Sequence, residues 1–311
     1  MNFEWNADQR AVMDVAQRLA QAHGTPSIAK PARMEYSPLL QQQLGESGLA
    51  GCMDEPDLGA LTAAGVVMAL SQPAVCVELV GTMLVAPLVC AQMPGPVALL
   101  GADLWAPVRF LPVAGTVVQV QGGHVRFAAL GEGDVETVPS TFAYPMGRLR
   151  SPDSLAWEDA SGVDSFEVLR LWRLGVAAEM VGSLQAALNA VVEHVRERRQ
   201  FGRPLGAFQA VQHRLAQCAT SIEGARWLCL HAAHTGQQGD AVLALGQVQH
   251  ITTPVCYDLH QFMGAMGLTL EHPLHRWTYR VKWLRSELGG AAENWARAAD
   301  AAWAGMENCT A

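Results

Sequence analysis

Apolar residues recur at spacings of three and four over residues 6–24. Val12, Val15, Ala16, Leu19 and Ala20 share one face there, and Asn6 can cap the start, so the spacing predicts a first helix. Similar runs predict helices over 35–46 and 57–72, with Gly48-Leu49-Ala50-Gly51 as a turn between them. The stretch 74–92 is apolar nearly all round, which requires burial by other helices or by a partner chain. The pattern changes at Met93-Pro94-Gly95-Pro96. Short runs rich in Val, Phe and Leu follow as far as Pro152, and Val108–Val113, Thr116–Gln121, His124–Ala129 and Glu136–Val138 read as strands. Gly122-Gly123 is a hairpin signal between two of them. Beyond Pro152 the helical period returns. One long helix is expected from about Asp164 to Arg199, a second from about Ala207 to Thr235, and a third from near Asp240 to Met266 with a kink at Pro254. Shorter helices over 272–286 and 289–304 complete the chain, which divides into a helical region 1–92, a small β region 93–152 and a helical bundle 153–311.

Composition narrows the function classes. Half of the 311 residues are hydrophobic, enough for a sizeable core and too many for a disordered chain. The net charge of −8 argues against nonspecific binding to nucleic acid or to anionic membranes, which needs a basic face. The seven cysteines are odd in number and include no Cys-x-x-Cys pair, so neither a disulfide framework nor a thiolate zinc site is expected, and a reducing cytosol fits. The first residues carry no basic stretch followed by an apolar run, so no signal peptide is read. Leu79–Ala102 is uncharged, but its longest apolar run, Leu79–Cys90, suits a buried helix rather than a membrane span. The histidines show no metal-binding cluster, and neither a Gly-x-Ser-x-Gly elbow nor a Gly-Lys-Ser phosphate loop occurs.

Two segments carry more information. In Arg196-Glu197-Arg198-Arg199-Gln200-Phe201-Gly202-Arg203-Pro204-Leu205-Gly206-Ala207-Phe208-Gln209, four arginines gather where one helix ends and the next begins. A helix C-terminus favours cations, which accounts for the charge but not for the Phe-Gly-x-Pro-Leu turn followed by Phe-Gln. In Gln261-Phe262-Met263-Gly264-Ala265-Met266-Gly267, the glycines permit close backbone approach. No strand precedes them, which sets aside a dinucleotide-binding fingerprint.

Together, and in this order on helical stretches, the two segments resemble the acyl-CoA dehydrogenase family. The order of regions, helical then β then a four-helix bundle, agrees with that fold, and Phe3-x-x-x-Ala7-Asp8-Gln9-Arg10 is similar to the family's first helix. The resemblance implies α,β-dehydrogenation of an acyl-CoA thioester, with a carboxylate as base and FAD as hydride acceptor. It implies that Arg198 reaches flavin phosphates across a subunit boundary, a task suited to the guanidinium fork. Phe208 and Gln209 match positions that touch FAD. Gln261, Gly264 and Ala265 match the backbone that packs on the adenine half, with Ala265 where the pattern has its second glycine.

Two departures stand out. The base is expected just before a Gly-Thr, and counting forward lands on Leu288-Gly289-Gly290. Glu287 is one position off, and a helix there would turn it about 100° away. An alternative base position precedes the arginine of the long bundle helix, here Arg173, and holds Trp172; Glu179, nearly two turns on, reads as a structural or interface carboxylate. The second departure is the short β region, which lacks the Thr-Glu-Pro-x-x-Gly-Ser-Asp type of segment between Leu88 and Pro152. The implied picture is one subunit of a hetero-oligomer of the kind found in bacterial steroid breakdown, completing the FAD site of a base-bearing, acyl-CoA dehydrogenase-like partner. The acidic charge and the apolar stretch 74–92 are compatible with a subunit interface. Two alternatives stay open: a homo-oligomeric dehydrogenase with a relocated base such as Glu287, and a non-catalytic structural or regulatory subunit.

Overall fold

The computed structural model describes residues 5–24, 36–90 and 92–307, so Phe3 of the first-helix pattern and Cys309 lie outside the described residues. Helix α1 (Ala7–Ala22) begins with a reciprocal cap. The Asn6 side chain accepts from the Gln9 amide at 2.8 Å, and Gln9 Oε1 accepts from the Asn6 amide at 3.0 Å. Helix α2 (Pro38–Glu46) is capped by Ser37, and α3 (Gly59–Leu70) follows. The apolar stretch after it forms one π-helical turn (Gly81–Val85) and a single α-helical turn, α4 (Ala86–Val89).

Val75, Val77, Leu79, Val80, Met83, Leu84 and Val85 all lie in the main core of this chain. Of the two ways left open for burying the stretch, the chain uses the first: its own helices cover these residues. Its one charged residue, Glu78, is buried as well. The Glu78 carboxylate accepts from the amides of Gly81 at 2.7 Å and Thr82 at 2.8 Å, and burial pushes its pKa up.

The β unit comprises β1 (Val97–Leu100), β2 (Val108–Arg109), β3 (Thr116–Gln121), β4 (His124–Ala129), β5 (Val135–Val138), β6 (Met146–Leu149) and β7 (Glu158–Asp159). One sheet has the order β1-β3-β4-β7 and the other β2-β6-β5. Gln121 pairs with His124 across Gly122 and Gly123, both at positive φ, so the expected hairpin closes through a two-residue turn. The expected strand 108–113 stops at Arg109, because Phe110 turns left-handed (φ 64°) and Leu111–Val113 is a 3-10 turn. Strands β1 and β6 went unread because both lie in segments without apolar–polar alternation. Strand β7 pairs with β4, so strand pairing continues past Pro152.

The bundle consists of α5 (Ser165–Glu197), α6 (Gln209–Thr235), α7 (Gln238–Met263), α8 (Leu274–Leu284) and α9 (Gly290–Glu307). A short hairpin, β8 (Arg199–Gln200) and β9 (Arg203–Pro204), joins α5 to α6. Helix α5 is long and apolar enough to cross a membrane, yet 78% of its most apolar window is buried inside this fold, as suits a central bundle helix. Among the described residues, six cysteines are free and buried.

The helices α3 and α5 meet where Gly182 faces the backbone of Met68. A Cβ built at Gly182 would lie 2.2 Å from the Met68 carbonyl oxygen. Glycine inside a helix ordinarily costs about 1 kcal/mol relative to alanine. Here the contact reverses the sign: Gly182→Ala is expected to destabilise the chain by about 1–3 kcal/mol, read as a lower urea midpoint. A raised midpoint would contradict this packing.

Candidate functional site

The β unit and the bundle meet at a buried cluster of charged groups. Arg109, 7% exposed at the end of β2, donates through Nη1 to Glu179 Oε2 at 2.9 Å and through Nε to Glu287 Oε2 at 3.1 Å. Glu179 projects from α5, and Glu287 from the turn after α8. The other carboxylate oxygens are also used. Tyr144 Oη donates to Glu179 Oε1 at 2.7 Å, and Trp172 Nε1 donates to Glu287 Oε1 at 2.8 Å. Thus every carboxylate oxygen has a donor, as burial of such groups requires. The guanidinium carbon lies 5.6 Å from the Phe110 ring centre and 5.4 Å from that of Tyr144. The two carboxylates hold the Arg109 pKa above its usual value against the opposing effect of burial, and the Tyr144 hydroxyl is pushed well up by burial and by Glu179.

Backbone geometry concentrates at the same place. The described non-glycine residues with positive φ are Phe110, Ala143, Phe201 and Leu288. Three of them adjoin Arg109, Tyr144 and Glu287 in sequence. Such conformations cost on the order of 1 kcal/mol each and persist where surrounding structure over-determines them. Leu288 (φ 57°, ψ 36°) also overturns the helical-wheel argument about Glu287. Helix α8 ends at Leu284, so Glu287 is not rotated away on a regular helix. The turn is held by Gln249, whose Nε2 donates to the Leu284 and Glu287 carbonyls at 3.0 and 2.8 Å; Asn294 Nδ2 in turn donates to Gln249 Oε1 at 2.9 Å. The two base positions expected from the resemblance, Trp172 and the 287–288 turn, are therefore in direct contact. Glu179 is an intrachain structural carboxylate.

The residues expected to touch a cofactor lie elsewhere. Arg198 caps the C-terminus of α5 and is exposed, as are Gln209, Gln261, Gly264 and Ala265, while Phe208 is half-buried. Gln200 pairs with Arg203 across Phe201 and Gly202, whose positive φ angles give another two-residue turn. Phe201 is 86% exposed at its tip and meets Phe208 edge-on at 6.2 Å, while the Arg203 guanidinium stacks on Phe208 at 4.0 Å. Gln261 and Gly264 line a cleft of about 580 Å³ between α7 and α8, together with Tyr257, Tyr279, Lys282 and Arg285. The Arg214–Asp258 ion pair at 2.5 Å ties the start of α6 to the end of α7, which places both sets at one end of the bundle.

That end is far from the ion cluster. Arg198 lies 26 positions beyond Trp172 and 19 beyond Glu179, about 39 and 29 Å at the helical rise, and Gln261 lies 12 positions beyond Gln249, about 18 Å. Exposed donors, an arginine fork and an open glycine at φ 66° suit the phosphate and adenine part of FAD. The opposite end holds the buried ion cluster of Arg109, Glu179 and Glu287.

Arg109, Tyr144 and Gln249 escaped sequence reasoning. A signal was present in two of the charges. Arg109 is the sole Asp, Glu, Lys or Arg between Asp103 and Arg126, and Glu179 the sole one between Arg173 and Glu193. Opposite lone charges in apolar runs must find a partner when buried.

Comparisons with known proteins bear on the fold. Residues 165–295 match the family described as acyl-CoA dehydrogenase, C-terminal domain. The rat short/branched chain specific acyl-CoA dehydrogenase, a mitochondrial protein of Rattus norvegicus, is 33% identical over 112 residues, covering 33% of this chain and 25% of that protein. The match therefore spans a quarter of that relative's length. Among solved structures, a Tcur3481-Tcur3483 steroid ACAD variant superposes with a TM-score of 0.77 at 21% identity, over 96% of this chain and 99% of that one. The ChsE4-ChsE5 complex from Mycobacterium tuberculosis gives 0.77 at 21% identity, over 96% and 97%.

The cluster sets one cation against two carboxylates, so its members are not equivalent. Arg109→Met leaves two buried carboxylates without their cation and is expected to cost about 3–5 kcal/mol. Glu287→Gln leaves the guanidinium with one carboxylate and has a single acceptor oxygen for the two donors Arg109 Nε and Trp172 Nε1, and is expected to cost less, about 1–3 kcal/mol. Urea unfolding of the two variants checks the ranking; equal losses would contradict it.

Proposed function

We propose, for a chain with the fold and the C-terminal domain of the acyl-CoA dehydrogenases, that it is one subunit of a hetero-oligomeric, FAD-dependent acyl-CoA dehydrogenase. In this reading it completes the FAD site of a second, base-bearing subunit of the same family. The substrate class is an acyl-CoA thioester, including steroid-derived ones, since two similar solved structures carry names of a steroid ACAD and of a two-component complex. When bound, FAD supplies the hydride acceptor.

The observation that carries the reading is the division of labour along α5. At one end Arg109 takes up both carboxylates, Glu179 and Glu287. Toward the other end Arg198, about 29 Å along α5 from Glu179, and Gln261, about 18 Å along α7 from Gln249, face outward with Phe208, Gln209, Gly264 and Ala265. Residues so placed face outward, where a cofactor held by a neighbouring subunit would meet them. Arg198 would pair with flavin phosphates of the neighbour, Gln261 and the Gly264–Ala265 backbone would lie along its adenine half, and Phe208 with Gln209 would border it. A general base needs a free acceptor within reach of the proton it takes. Each oxygen of Glu287 already accepts one hydrogen bond within the chain, so taking a proton would compete with the contacts to Arg109 and Trp172.

A second reading keeps Glu287 as the base of a self-sufficient enzyme, favoured by its contact with Trp172 at the alternative base position. Two measurements separate the readings. Co-expression with a neighbouring dehydrogenase-like gene is expected to give a yellow complex, and Arg198→Ala is expected to lower its flavin content severalfold; unchanged flavin would sink the heteromer. Turnover by the purified chain alone that is abolished by Glu287→Gln would establish the second reading instead.

A further inference from the structure

The cleft between α7 and α8 holds positive charge that its own walls do not balance. It runs along α7 from Thr252 to Gly264, about 18 Å at the helical rise. Gln261 and Gly264 lie at one end. Toward the other, Lys282 and Arg285 enter from α8 and its C-cap, three positions apart and so on one face. No aspartate or glutamate lines the cleft, in a chain whose net charge is −8. Arg285 Nη1 donates to Thr253 Oγ1 across to α7, and Lys282 Nζ stands 5.1 Å from the Tyr279 ring centre. Among the described residues neither cation meets a carboxylate. The two converge on one place: burial pushes the Cys256 thiol up to about 12, and Lys282 and Arg285 both act against that rise. His260 adds no charge at neutral pH, because burial and then Lys282 lower its pKa.

We propose that Lys282 and Arg285, with the Thr253 hydroxyl, form a subsite for a diphosphate group, either free or carried by a nucleoside whose ring lies against Tyr257 or Tyr279. Two cations side by side repel each other until an anion meets both. A diphosphate presents two adjacent anionic groups, whereas a single carboxylate would leave one cation uncompensated. The guanidinium supplies a donor fork and the ammonium a compact point charge, and both hold phosphate well. Tyr257, 67% exposed, offers an open ring face beside them, and a cleft of about 580 Å³ is in the range of small-molecule sites. The subsite goes beyond the heteromer reading. Lys282, Arg285 and Thr253 match no cofactor position, and the flavin phosphates of that reading fall to Arg198.

The test is calorimetric titration of the full chain at low ionic strength with pyrophosphate, ADP and adenosine. Pyrophosphate and ADP are expected to bind saturably, and Lys282→Ala/Arg285→Ala is expected to weaken both by at least about tenfold. ADP binding tighter than pyrophosphate identifies the nucleoside-borne group, and equal or weaker ADP binding the free one; adenosine alone is expected to be insensitive to the double variant. Both cations are exposed, so the double variant is expected to keep its thermal midpoint. Should it lose its fold, Lys282→Gln alone is expected to weaken pyrophosphate severalfold. Arg148→Ala/Arg150→Ala removes two exposed arginines at the end of β6 and is expected to leave binding unchanged. The subsite is overturned by absence of saturable binding, by binding unchanged in the double variant, or by an equal loss in the β6 control. Binding of a polyglutamate peptide without binding of pyrophosphate would also overturn it, in favour of an acidic chain. The titration uses this chain alone and the Arg198→Ala flavin assay uses the complex, so the two readings fail separately.

Discussion

One guanidinium held between two carboxylates couples the two halves of this molecule. Arg109 comes from the β unit, Glu179 from the middle of the central helix, and Glu287 from the turn that links the last two helices. Each partner is supported by another layer: Tyr144 behind Glu179, Trp172 behind Glu287, and Gln249 with Asn294 beneath the turn. Desolvating three charges is expensive, and only a fully bonded arrangement repays it. The local backbone bends to meet that condition, with left-handed residues beside three of the participants. The ion cluster thus ties the strand unit to the bundle beside the apolar contacts of their shared core.

The helices were legible because their periodicity and caps agree. Asn6, Asp164 and the hairpin glycines at 122 and 123 each mark a boundary that the chain adopts. Strands β1 and β6 were not legible, since a fully buried strand and a strand with glycine at its second position carry no alternation. The residues at the far end of α5 could be named from their motif because they are defined by local order along the chain. The ion cluster could not. Its members are 70 and 178 residues apart, and no local pattern links Arg109 to Glu179 or to Glu287. The placement of Glu287 was misjudged for a related reason. A wheel projection assumes a continuous helix, and one left-handed residue at 288 removes that assumption.

Helix α5 works as a rigid spacer between two chemically opposed ends. Its burial against α3, α6, α7 and α8 excludes bending as a way of bringing the ends together. The close approach of Gly182 to Met68 and of Gly175 to Val80 fixes its register along the helical region before it. The distance between the crevice and the outward-facing residues is consequently a property of the core and not of a flexible loop.

The hairpin between α5 and α6 has a kinetic consequence. Phe201 and Gly202 already occupy the positive-φ conformations their turn requires, and the flanking strands are paired. The Phe201 ring stands clear of the body, while Phe208 below it is stacked by Arg203. Little backbone entropy is left for this tip to lose on meeting another surface. Capture at that end would then need no loop folding during the encounter.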